Sequence, residues 1–144
     1  MESPSLASCI IDSLASSSLE HEDFSAIRRS LHAWPEIGFE EVNTSQLIAE
    51  KLTSWGIEVH CGIGGTGVVG VIHGHEGDKC IGLRADMDAL RIQEENHFTH
   101  RSRNPGKMHA CGHDGHVAML LSAAKTLAAN RNFYGKVHLI FQPA

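Results

Sequence analysis

The chain has 144 residues, 42% apolar and 20% charged, with a formal net charge of −5, which fits one globular domain with a proper core. The acidic balance and 12 scattered Lys and Arg residues exclude a broad nucleic-acid-binding surface. No apolar run approaches the ~20 residues that span a bilayer, and the four cysteines (Cys9, Cys61, Cys80 and Cys111) show no framework spacing, so the expectation is a reduced, cytoplasmic protein.

In chain order, residues 5–17 place Leu6, Cys9, Ile10 and Leu14 at helical spacing. With Glu2 and Asp12 and no basic lead-in, this stretch is a poor signal or transit peptide. His21-Glu22-Asp23 offers an acidic first turn for a helix through Phe24, Ile27, Arg28 and Leu31, which must stop before Pro35. Asn43 or Thr44 is expected to cap a third helix over residues 45–55, and Gly56 to end it. Ile57–Cys61, Val68–His73 and Cys80–Ala85 read as strands, and residues 93–107 as a loop. Val117, Leu120, Leu121, Ala124, Leu127 and Ala128 mark a long helix over 114–130. Gly135 is expected to turn the chain into a last strand, Val137–Phe141. Three helices, three strands, a helix and a strand give an α/β fold with a mostly buried sheet.

The richest chemistry lies in Met108-His-Ala-Cys-Gly-His-Asp-Gly-His116. His109, Cys111, His113, Asp114 and His116 offer a thiolate, imidazoles and a carboxylate, a set that suits a borderline transition ion. With 11 histidines in the chain, the spacing alone leaves chance clustering open beside metal binding. Asp86-Met87-Asp88 ends a strand, where α/β sheets place their ligands, so these two carboxylates and the histidine cluster are expected to face one cleft. Gly62–Gly67 is followed by a strand rather than a helix, so it reads as a turn and not as a phosphate loop. Glu40-Glu41 is expected to complement a helix dipole, and Glu94-Glu95 to be solvated.

Several of these motifs occur together in a recognisable order: Arg28-Arg-Ser-Leu-His32 with Pro35-Glu36 and Glu40-Glu41, then Gly65-Thr-Gly67, Arg84-Ala-Asp-Met-Asp-Ala-Leu90, Met108–His116 and Phe141-Gln-Pro-Ala144. From about residue 22 onward the chain resembles the amidohydrolase branch of the aminoacylase/carboxypeptidase metallopeptidase family, which includes hippurate hydrolase, N-acyl-amino-acid amidohydrolases and auxin-conjugate hydrolases. The resemblance implies an α/β/α sandwich of the zinc-peptidase type, present here as an incomplete catalytic domain. Residues 1–20 would be an N-terminal helix or extension, and 21–144 the N-terminal part of that domain. It implies two divalent metals (Mn, Zn, Co or Ni), with Cys111 and His113 as ligands and Asp88 as the carboxylate supporting them from behind.

The implied activity is metal-dependent hydrolysis of N-acyl amino acids by a protein that forms a homodimer at full length. Its partners would be small molecules, with neither nucleic acid nor membrane involved. Arg91 stands where the family usually has proline, which should alter only the turn after Asp88. The family's general-base glutamate would follow Ala144, so the 144-residue chain by itself is expected to be inactive. The alternative is a catalytically inactive truncated remnant, or a module that binds metal weakly.

Overall fold

Alternating apolar side chains along β-branched segments build the sheet, and amphipathic helices cover it. The computed structural model describes residues 23–144. The elements are α1 (Phe24–Ala33), α2 (Val42–Ser54), β1 (Glu58–Ile63), β2 (Gly67–His73), β3 (His75–Asp86), α3 (His113–Ala129) and β4 (Tyr134–Gln142). The helix expected at 5–17, and with it the proposed 1–20 extension, lies outside the described residues.

The four strands form one mixed sheet in the order β1-β2-β4-β3. β1/β2 and β2/β4 run antiparallel, while β3 and β4 are parallel and joined through α3. The β1–β2 connection is the tight Gly62–Gly67 turn, and no helix follows it. Val137, Leu139 and Phe141 of β4 share one face with Val68 and Ile72 of β2. That face buries Ile48 and Leu52 of α2, Ile27 and Leu31 of α1, and Val117, Leu121 and Ala124 of α3. Burying each of these Val, Leu and Ile side chains contributes roughly 1.5–3 kcal/mol before conformational entropy is set against it. The fold is thus of the expected α/β class, with the described helices on one sheet face.

Three local expectations need correction. α2 begins at Val42, so Asn43 and Thr44 lie inside its first turn rather than ahead of it. Their backbone N–H groups donate to Glu36, whose carboxylate the Pro35 turn brings alongside. An acidic side chain from outside the helix therefore replaces the capping side chain the sequence pointed to.

β3 starts at His75, well before Cys80. Its first residues are polar and solvent-facing, so no apolar signal marks them. Gly135 lies within β4 rather than in a turn. It has φ 92°, and a Cβ there would collide with the Lys79 carbonyl oxygen, so only glycine fits beside the irregular start of β3.

Candidate metal centre

Period-two alternation at the end of β3 sets the site. Met87 is fully buried, and its N–H donates to the Gln142 carbonyl. Asp86 and Asp88 therefore project away from the core on either side of it. The 108–112 segment brings α3 to the same sheet end. Gly112 is the N-cap residue in the left-handed region at φ 80°, a conformation that lets the chain reverse between Cys111 and His113. His113 and His116, three apart on the helix, stand on one side of its first turn with rings stacked 5.5 Å apart.

The two groups meet, as the cleft expectation required. His116 Nδ1 lies 2.6 Å from Asp86 Oδ1, and His113 Nε2 lies 3.5 Å from Asp86 Oδ2. One ligand atom from each of Asp86, His113 and His116 falls within 4.8 Å of the others. His113 Nδ1 is 2.9 Å from both Asp88 Oδ1 and the Asp88 carbonyl oxygen. Both are acceptors, so Nδ1 carries a hydrogen, and in the neutral ring Nε2 keeps its lone pair facing the cluster. Burial works to raise the Asp86 carboxyl, but the His116 hydrogen bond and the charges of His113 and Arg84 outweigh it and hold it below the usual aspartate value.

Of the sequence-predicted site residues, Asp88 and His113 are thus brought into contact. Cys111 is exposed in the turn ahead of α3 and lies outside the three-residue group. Asp86 and His116 belong to that group although the family motif assigned them no role. Their signal was present in the Asp-x-Asp and His-x-x-His spacings.

A second polar layer lies beneath. Asp114 is buried, and its Oδ2 lies 2.9 Å from His32 Nδ1 and 3.3 Å from Arg28 Nε. His32 Nε2 lies 3.1 Å from Glu94 Oε1. Glu94 was expected in solvent, but it is buried and also accepts from the Ser102 N–H and the Asn96 amide. Burial acts to raise its pKa, and the donors Ser102, Asn96 and His32 pull it below the ordinary glutamate value.

Glu41, expected to complement a dipole, is fully buried at the same sheet end and accepts from Thr66 Oγ1 and the Ala144 N–H. Its neighbour Glu40 stays exposed and pairs with Lys107. His109 is buried with neither ring nitrogen partnered, and burial pushes it down to about 4.

Comparison with known proteins gives a consistent picture. The chain is 52% identical over 122 residues to a hippurate hydrolase of Campylobacter jejuni, covering 85% of this chain and 32% of that one. It is 53% identical over 119 residues to an IAA-amino acid hydrolase of Arabidopsis thaliana, covering 82% and 27%. A solved dinuclear metal-binding peptidase of the M20 family from Bacillus subtilis superposes with a TM-score of 0.80 at 41% identity, over 84% of this chain and 35% of that one. The chain spans about a third of the length of the curated relatives it matches. Residues 82–144, from β3 through the histidine cluster to the end of β4, match Peptidase family M20/M25/M40, and it is to this family that the chain belongs.

Proposed function

We propose that the protein hydrolyses the amide bond of N-acyl amino acids of the hippurate type, releasing a carboxylic acid and an amino acid. The observation that carries this reading is the convergence of Asp86, His113 and His116 at the carboxyl end of β3, with Asp88 behind His113. Its support from similarity is the hippurate hydrolase relative.

The residues fit a divalent ion. A carboxylate and two imidazoles are typical ligands for such an ion, and a carboxylate behind a histidine is how proteins fix a metal-binding ring. We take Asp86, His113 and His116 to hold metal and the exposed Cys111 to add a thiolate. A second ion follows by analogy with the dinuclear peptidase. Mn, Zn, Co and Ni all suit such a set. The unpaired Cys61, Cys80 and Cys111 fit a reducing cytoplasm.

Bound metal supplies polarisation of the acyl carbonyl and a lowered pKa for water. Asp88 keeps the hydrogen of His113 on Nδ1 and fixes the ring. Asp86 is occupied by His116 and by Arg84, 2.9 Å away, and stays ionised. With Asp86 and Asp88 both engaged, the proton of an attacking water goes to a group outside this cluster.

The test is hydrolysis of hippurate and other N-acyl amino acids by the intact protein, before and after chelation. Activity should vanish on chelation, return with Mn²⁺, Zn²⁺, Co²⁺ or Ni²⁺, and be absent from His113→Ala. Hydrolysis indifferent to chelation and to His113→Ala would refute the reading.

A further inference from the structure

We propose that His32 is a positioning residue for the metal centre: by donating to Asp114 from one ring nitrogen and to Glu94 from the other, it fixes the first turn of α3 against the loop that follows Asp88. The proposal rests on the metal-centre reading above and assigns a role to a residue outside the cluster itself.

His32 is 5% exposed and lies in the last turn of α1. Its two nitrogens face two carboxylates, at 2.9 Å and 3.1 Å. A carboxylate only accepts, so the ring donates on both sides. Stability alone does not explain this arrangement. Buried ionic groups lose hydration about as fast as they gain attraction, and apolar residues of similar volume often do as well. What the arrangement does supply is a fixed geometry among three segments.

Asp114 sits in the first turn of α3, between His113 and His116. Glu94 gathers the loop through the Ser102 N–H and the Asn96 amide. That loop leaves directly from Asp88, which holds His113. His32 therefore ties the helix that carries two of the cluster's three residues to the segment that carries their support. Arg28, one turn earlier on α1, adds a second contact to Asp114 from the solvent side. Ligand geometry must be held within about 0.5 Å, and losing a partner behind the ligands typically weakens metal binding about 10–100-fold.

Co²⁺ titration of the intact protein, followed by its visible absorption spectrum, tests this. His32→Gln keeps one donor but turns an oxygen toward the other carboxylate. It should remain folded by circular dichroism, raise the Co²⁺ Kd about 10–100-fold, and alter the spectrum. Adding Glu94→Gln should restore most of the affinity. An amide N–H at position 94 then faces the amide oxygen introduced at position 32, the amide oxygen at 94 still accepts from Ser102, and the exposed Asn96 amide turns over so that its Oδ1 accepts the second N–H at 94.

A folded His32→Gln protein with wild-type Kd and spectrum overturns the proposal. So does weakening that the double variant fails to repair, since packing rather than hydrogen bonding would then be at work. If His32→Gln does not fold, Glu94→Gln alone serves, and unchanged Co²⁺ binding by it is equally decisive. Failure of the wild type to bind Co²⁺ would instead refute the metal-centre reading, and this proposal with it.

Discussion

His109 should make folding sensitive to pH in a narrow and calculable window. Its side chain is buried, neither ring nitrogen has a partner, and burial holds its pKa down to about 4 against the pull of Asp114. In the unfolded chain the same imidazole titrates near 6.5. Above about pH 7.5 the ring is neutral in both states and contributes nothing to the pH dependence. As pH falls from 6.5 to 4 the unfolded chain takes up a proton that the folded chain refuses, so stability drops. Linkage puts the loss from this residue at about 2 kcal/mol at pH 5 and about 3 kcal/mol once pH is below 4. His109→Leu removes the titration and replaces an unsatisfied polar ring with an apolar side chain of similar size. Urea unfolding of metal-free wild type and variant, measured from pH 7.5 to pH 4.5, should give curves that diverge across that window, with the variant flatter. Parallel curves would show that the imidazole is hydrated or partnered in the folded state, and the burial argument would fail.

Other consequences are simpler to check. Glu36→Ala removes the acceptor for the Asn43 and Thr44 N–H groups at the start of α2. Chemical denaturation should show a loss of about 1–2 kcal/mol, as for an N-cap deletion, with little change in Co²⁺ affinity. Cys111 is exposed and should alkylate readily in metal-free protein. If its thiolate ligates, saturating Mn²⁺ or Zn²⁺ should slow its labelling while leaving Cys61 and Cys80 unaffected, and equal labelling of Cys111 in both samples would count against ligation.

The sheet and the long helix were legible because their apolar residues keep strict periods. Val137, Leu139 and Phe141 alternate, and Val117, Leu120, Leu121 and Ala124 follow the helical repeat, and all are buried. The start of β3 was not legible, because His75–Lys79 face solvent and pair only irregularly with β4, His75 lying opposite Tyr134 before the register shifts ahead of Cys80. The cleft between Asp86-Met-Asp88 and the histidine cluster was legible from strand-end logic and is seen in the contacts of His113 and His116. The layer beneath it was not. Glu94 lies in a polar loop sequence, and His32 on a helix whose apolar pattern runs through Phe24, Ile27 and Leu31 and does not include it. Nothing local shows that residues 62 and 82 positions apart meet across one imidazole. Long-range polar pairing of this kind has no period to betray it.

The placement of so many carboxylates at one sheet end follows from the topology. β3 and β4 are parallel and finish together, with Asp86 opposite Gln142. The β1–β2 turn reaches the same end, because Val68 pairs with Phe141. α2 and α3 both begin there, α2 with Glu41 reaching Thr66 and Ala144, and α3 with His113 reaching Asp88. Two helix N-termini thus aim their positive ends at a region that holds Glu41, Asp86, Asp88 and Asp114. Backbone dipoles, Arg28, Arg84 and the cluster histidines offset the mutual repulsion of these acids. A bound cation would complete the compensation, so removing metal should leave this end of the sheet the most electrostatically strained part of the molecule. Hydrogen exchange ought then to speed up first at the α3 N-terminus and the 89–107 loop on chelation. Uniform exchange across the sheet in both states would contradict that account.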